Sequence, residues 1–391
     1  MAKTHLHSMP APRDPEILQR TRMALEYLVT LPSNYRKGKD YPLVFCIPGY
    51  GDNAGTVYQS DKLRPYIADK YDSIVVGVRY HHDLRVEPDV SFSAADLCNV
   101  YQLTEDFFTG IGNFDNLLDR LFLLLEDREL TRLDPRCSLK QKSHQGYSSF
   151  GFLPAIDHLT VLCDLQKYYQ IDKGNIIAFG TSYGGYIALL MAKYVPHTFA
   201  AVIDNSGFCL TQLREIFSNR SDTSGVTYPR MIRGKRYEIP VVVDTLWSED
   251  ETSEYYFSDA HRKIRNLLVD EHITPSDTVY YCFHSLHDTI APIQHKDEFV
   301  EKIGKNHAIY YTRIEEKHVD GQVFKNTSHG MNASLRSLFD QCMMHFATVY
   351  PKHPSITDFE KNSCYRFTCS DKIYSFQYSP VGLEVSIKTR G

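Results

Sequence analysis

No apolar run in this sequence approaches the roughly 20 residues that a membrane-spanning helix needs. The opening stretch, MAKTHLHSMPAPRDPEILQR, also lacks the apolar centre of a secretion signal. Basic clustering is scarce. The densest case is Arg230-Met231-Ile232-Arg233-Gly234-Lys235-Arg236, and the net charge is -5, so no nucleic-acid partner is expected. The nine cysteines are an odd number without paired spacing, and no Cys/His set has zinc spacing. Cys46, Cys163 and Cys282 lie inside apolar patterns, as reduced buried thiols do. Cys364 and Cys369, the one close pair, fall on a single predicted strand. There is no internal repeat, no low-complexity tract and one tryptophan, Trp247, expected to serve packing. These absences leave a cytoplasmic globular protein as the expectation.

What is abundant is the aromatic ring. The chain has 27 tyrosines, which suit a core and equally a cleft that stacks on sugars or rings. Apolar runs closed by turn residues predict seven strands. They are RMALEYLVTLPSNY (22 to 35), YPLVFCIPGYG (41 to 51), DSIVVGVRY (72 to 80), NIIAFG (175 to 180), FAAVIDNSG (199 to 207), TVYYCFHSLHD (278 to 288) and AIYYTRIEE (308 to 316). Several are apolar without alternation, as in strands buried on both faces. Helix patterns stand between them. In the last, Leu335, Leu338, Phe339, Cys342, Phe346 and Val349 recur at helical spacing. Such alternation predicts an α/β protein with a mostly parallel sheet flanked by helices.

An extension (1 to 21) precedes a main domain over 22 to 350, and a tail over 351 to 391 alternates like a short antiparallel hairpin element. Two stretches, about 81 to 155 and 208 to 256, exceed ordinary connections and are expected to act as lids, with residues about 140 to 155 and 215 to 240 choosing the alcohol portion of a substrate. The first holds Leu117, Leu118, Leu121, Leu124 and Leu125 at helical spacing, then the loop KQKSHQGYSSFGF.

The fourth strand runs into Gly180-Thr181-Ser182-Tyr183-Gly184, and a helix pattern starts at once. Glycines two before and two after the serine suit a turn too sharp for side chains there, lifting one hydroxyl above the sheet edge. A hydroxyl becomes a nucleophile only beside a base, and the base needs an orienting acid. HSLHDTIAP places Asp288 just past the sixth strand, and NTSHGMNAS places His329 after the seventh. Carboxyl ends of parallel strands are where such groups gather.

These three motifs, in this order, resemble the α/β-hydrolase superfamily over roughly residues 22 to 350. The resemblance implies Ser182 as nucleophile, Asp288 as acid and His329 as base, with no metal or organic cofactor. It also implies an oxyanion hole of backbone amides from Tyr183 and from the loop Pro48-Gly49-Tyr50-Gly51, where Tyr50 is favoured and Gly51 is its neighbour. The opening LEYLVTLPSNYRKGKDYPLVFCIPGYG is similar to feruloyl- and acetyl-esterases. KLRPYIADKY followed by IVVGVRY, with the aromatic tail, resembles a bacterial branch linked to flagellar or surface-glycan loci. Together they imply a serine esterase acting on a small-molecule or glycan ester, an O-acylated sugar among them.

Other readings stay open. Asp204, in VIDNSG, competes with Asp288 as the acid. His284 and His287 flank Asp288 and invite a metal reading, though no third ligand lies near in sequence; His81 and His82 end the third strand and are placed to touch substrate or to form a polar loop. Tyr147, Phe150 and Phe152 suit either a stacking platform or lid core. An acyltransferase would share every step to the acyl-enzyme, a peptidase lacks its usual propeller and amine pocket, and a non-catalytic binding module would be marked by a missing triad member.

Overall fold

The computed structural model describes residues 2–50, 52–81, 90–141, 147–217, 226–243, 246–349 and 356–390. The chain divides into two compact units, one of residues 1–83, 151–211 and 258–391, the other of residues 84–150 and 212–257.

The first unit is built on eight strands: β1 Lys3–Met9, β2 Leu25–Leu31, β3 Tyr41–Ile47, β4 Ile74–Arg79, β5 Ile171–Thr181, β6 Ala201–Asn205, β7 Val279–Ser285 and β8 Ile309–Ile314. Their spatial order is β1-β2-β4-β3-β5-β6-β7-β8. β1 and β2 pair antiparallel, as do β2 and β4, and every later pair is parallel. β6 and β7 are buried along their whole length, and β3 and β4 at all but one position each, which is why their sequences read as continuous apolar runs. The helices of this unit are α1 Arg64–Tyr71, α2 Phe152–Leu165, α3 Tyr183–Tyr194, α4 Asp259–Arg265, α5 Ile293–Ile303 and α6 Leu335–Val349. Strand order reverses between β3 and β5, so their carboxyl ends open a crevice there. This is the α/β-hydrolase fold.

Seven strands coincide with the sequence-based expectation, and β1 is an addition. Its residues KTHLHSM are mostly exposed at the sheet edge, so they carry no apolar signal. The α6 face is also narrower than the spacing predicts. Leu338, Phe339, Cys342 and Phe346 are buried against the sheet, Leu335 is half-buried and Val349 is exposed.

The tail forms a three-stranded antiparallel sheet, Cys364–Cys369, Lys372–Ser379 and Gly382–Thr389. Its inner face packs Tyr374 and Phe376 on Phe152 of α2, with Phe376 stacked on Tyr194 of α3. A buried ion pair ties this layer to the start of the chain. Glu16 accepts from both terminal nitrogens of Arg265, at 2.8 and 2.5 Å, and from the Tyr374 hydroxyl at 3.0 Å. Burial acts to raise the Glu16 pKa, but the Arg265 charge and hydrogen bonds outweigh it and hold the carboxyl below its ordinary value.

The two long excursions share one structure. Strands Val90–Ser91, Leu139–Gln141, Lys235–Val243 and Val226–Ile232 form a single sheet in that order. Helix Phe114–Asp127, started by the Asn113 side chain accepting from the Asn116 amide, buries Leu117, Leu118, Leu121, Leu124 and Leu125 against it. Trp247 is buried against Tyr147 and Phe257 and donates to the Ser148 carbonyl. Tyr147 and Phe150 are buried in this unit, whereas Phe152 belongs to α2.

Candidate active site

β5 ends at Thr181 and α3 begins at Tyr183, leaving Ser182 as the whole connection. Its backbone has φ +54° and ψ -120°, a region costly for any residue with a side chain. Close approach explains the flanking glycines. A β-carbon on Gly180 would stand 2.1 Å from the Gly184 carbonyl oxygen, and one on Gly184 would stand 2.1 Å from that of Ile47. The turn is held by the Ser182 amide, which donates to the Asn205 carbonyl at 2.7 Å. The loop after β3 passes beside it, since a β-carbon on Gly49 would lie 3.3 Å from Ser182 Cβ.

Asp288 and His329 come from the loops that follow β7 and β8. His329 Nε2 lies 2.7 Å from Ser182 Oγ, and His329 Nδ1 lies 2.7 Å from Asp288 Oδ2. The other Asp288 oxygen accepts from the amides of Ile290 and Ala291, each at 2.9 Å. Burial acts to raise the Asp288 pKa, but the His329 hydrogen bond and those two amides outweigh it, so the carboxyl sits below its usual range. Ionised Asp288 therefore faces Nδ1, Nδ1 carries the imidazole proton, and Nε2 presents its lone pair to the serine.

Asp204 belongs elsewhere. It is buried at the end of β6, where it pairs with the Lys296 ammonium of α5 and accepts from the Gly207 amide at 2.8 Å. Burial works to lower the Lys296 pKa, and the Asp204 charge overrides it and holds that group above its ordinary value. The geometry thus corrects the competing reading of Asp204 as the acid, because both its oxygens serve this internal pair and loop. His284 is buried, with Nε2 donating to the Ala291 carbonyl at 2.7 Å. Burial, with Lys296 adding to it, lowers its pKa, so it backs the Asp288 loop as a neutral ring. His287 is exposed. Among the described residues no group of three or more His, Cys, Asp or Glu could hold a metal ion.

Tyr183 is the first residue of α3, where backbone amides point out of the helix N-terminus and favour negative charge. Tyr50 directly follows Gly49, its ring meeting that of Tyr183 edge-on at 5.7 Å. Gly51, the neighbouring candidate, lies outside the described residues, as does His82. His81 is buried, its amide donating to Asp157 at 2.7 Å. Asn205 and Ser206, which sequence reasoning passed over, stand beside the site; polar residues at a strand end give no signal distinct from an ordinary turn.

A family model described as Protein of unknown function (DUF2920) matches residues 18–387. No curated protein matches the chain. Among solved structures it is similar to a thermostable esterase at 14% identity and a TM-score of 0.43, over 88% of this chain and 62% of that one. It is also similar to an acylaminoacyl peptidase in complex with Z-Gly-Gly-Phe-chloromethyl ketone, at 14% identity and a TM-score of 0.48, over 90% of this chain and 42% of that one. A thermophilic esterase from the Planctomycetes species Thermogutta terrifontis shows 12% identity and a TM-score of 0.45, over 87% and 92%. The chain spans less than two thirds of the length of the first two. No helix among the described residues is long and apolar enough to cross a membrane.

Proposed function

We propose that this chain, which belongs to the DUF2920 family, is a serine hydrolase that cleaves acyl esters through an acyl-enzyme. The observation that carries the reading is the continuous relay of two 2.7 Å contacts, from Ser182 Oγ through His329 to Asp288. His329 Nε2 takes the serine proton as Oγ bonds to the substrate carbonyl carbon. The carbonyl π pair moves to oxygen, where the Tyr183 and Tyr50 amides are the assigned donors. Collapse expels the alkoxide, which leaves as the alcohol with the proton from Nε2. A water molecule then repeats the sequence on the acyl-enzyme and releases the carboxylic acid. Asp288 stays ionised throughout and stabilises the transient imidazolium.

Within acyl esters we assign an O-acylated sugar as the substrate class. Its support is the exposed Tyr50 ring next to the nucleophile turn, a surface on which a sugar face can stack. The test is a fluorophosphonate probe followed by a panel of short and long acyl esters and acetylated sugars. Wild-type protein should label and turn over, and Ser182→Ala should do neither while keeping its fold. Labelling that persists in Ser182→Ala would place the nucleophile elsewhere. Failure of every acetylated sugar beside active simple esters would sink the sugar assignment alone.

A further inference from the structure

His329 opens a short helical turn, closed by the Met331 amide donating to the Ser328 carbonyl at 2.9 Å and the Ala333 amide donating to the Gly330 carbonyl at 3.1 Å, whose backbone is nevertheless strained. Gly330, Met331 and Asn332, the three residues after it, have φ of +72°, +52° and +43°. Two of these carry side chains in a region such residues rarely adopt. Strain of this kind persists where surroundings hold it. Besides these turn bonds and the Lys325 amide, which donates to the Met331 carbonyl at 3.0 Å, the side chains of the last residue of β6 and the one after it reach the loop. The Gly330 amide donates to Ser206 Oγ at 3.1 Å, and the Gly330 carbonyl accepts from Asn205 Nδ2 at 3.3 Å. Both polar atoms of Gly330 thus meet side chains of this pair, the carbonyl sharing its acceptance with the Ala333 amide at 3.1 Å.

The same two residues also grip the nucleophile side. Asn205 Nδ2 donates to Thr181 Oγ1 at 3.0 Å, and the Asn205 carbonyl accepts the Ser182 amide at 2.7 Å. Ser206 is anchored in turn, its amide donating to the Phe283 carbonyl of β7 at 2.8 Å. Asn205 and Ser206 are both fully buried, and Ser206 itself has φ +59°. The Asn205 Oδ1 atom has no partner among the described residues, a cost the side chain bears in this orientation because the Gly330 carbonyl can only accept.

We propose that Asn205 and Ser206 are positioning residues that hold the serine turn and the histidine loop in one frame, setting the Ser182–His329 contact without touching substrate. The inference rests on the serine-hydrolase reading above, with Ser182 and His329 as the reacting pair.

The test uses the full chain with Ser206→Gly, Ser206→Ala and Asn205→Leu, measuring kcat and KM on a simple acyl ester, the rate of fluorophosphonate labelling and the melting temperature. Both Ser206 variants lose the hydroxyl, but only glycine relaxes the backbone at φ +59°. Loss of one buried hydrogen bond in the reacting geometry should lower kcat and the labelling rate about tenfold, equivalent to ~1.4 kcal/mol. KM should stay unchanged for all three variants. Ser206→Gly should combine that loss with an unchanged or higher melting temperature, which a purely structural role would not produce. Wild-type kcat and labelling in Ser206→Gly would overturn the proposal, as would losses confined to variants with lowered melting temperature or a rise in KM alone. Wild-type protein that neither labels nor turns over would instead defeat the hydrolase reading, and the positioning role with it.

Discussion

Replacing Asp288 by asparagine should stop the reaction without unfolding the protein. The asparagine oxygen can keep the two 2.9 Å bonds from the Ile290 and Ala291 amides. Its NH2 group then occupies the place of Oδ2, 2.7 Å from His329 Nδ1. An NH2 there needs an acceptor, so the imidazole shifts its proton to Nε2 and points N–H at Ser182 Oγ. The base is lost while the geometry stays. Loss of the orienting carboxylate by such a tautomer change lowers kcat by roughly 10³ to 10⁴, or about 4–5.5 kcal/mol of barrier. Asp204→Asn should behave in the opposite way. It leaves the Lys296 ammonium buried without its counter-charge, which costs about 3–5 kcal/mol of stability. The catalytic centre of those molecules that fold should work within a few-fold of wild type. Initial rates normalised by fluorophosphonate titration separate the two effects, and urea unfolding reads the second. A larger loss of normalised kcat in Asp204→Asn than in Asp288→Asn would refute the assignment of roles.

Acid should destabilise the protein between about pH 6.5 and 4.5. Burial pushes His158, His261 and His272 from 6.5 down to about 4, about 4 and about 3. Over that interval the native state binds fewer protons than the unfolded chain, so stability falls as pH falls. Asp14 opposes this. Burial and the nearby Glu16 charge raise it from 3.8 to about 6, so the proton it gains in the same interval favours the native state. Linkage gives a loss of about 6–7 kcal/mol from the histidines and a gain of about 2 from Asp14, a net loss of about 5 kcal/mol. Urea midpoints that stay flat across this range would contradict it. Glu16→Gln should cost about 3–5 kcal/mol by leaving buried Arg265 unpaired, with kcat per labelled site unchanged. An unchanged urea midpoint would show that this pair does not hold the chain's start to its tail.

β3, β4, β6 and β7 were legible because burial on both faces demands apolar residues at consecutive positions, as in VYYCFHS of β7. β1 was not, since an edge strand of Lys3, Thr4, His5 and Ser8 meets little of the core. The proposed relay of Ser182, Asp288 and His329 could be suggested from sequence because each follows a strand that could be seen, and strand ends are where open α/β sheets collect such groups. The setting of Asp204 was not legible. Its counter-ion lies 92 residues away on α5, and nothing in VIDNSG announces a partner at that distance. Asn205 and Ser206 escaped for a related reason, because their work is defined by Gly330, 125 and 124 residues further along the chain.

The shared sheet of the second unit has a consequence for how the chain is made. Leu139–Gln141 pairs with Val241–Val243, and between these segments the ribosome must produce β5, α3 and β6. Until residues 226–243 emerge, Leu139 and the helix carrying Leu117 and Leu121 have no complete layer to cover them. A chain made only as far as β6 therefore carries this apolar sheet half-built. Non-local strand pairing of this kind is slow and prone to aggregation. The interval of synthesis between the two segments is the stage at which this unpaired layer is open to aggregation.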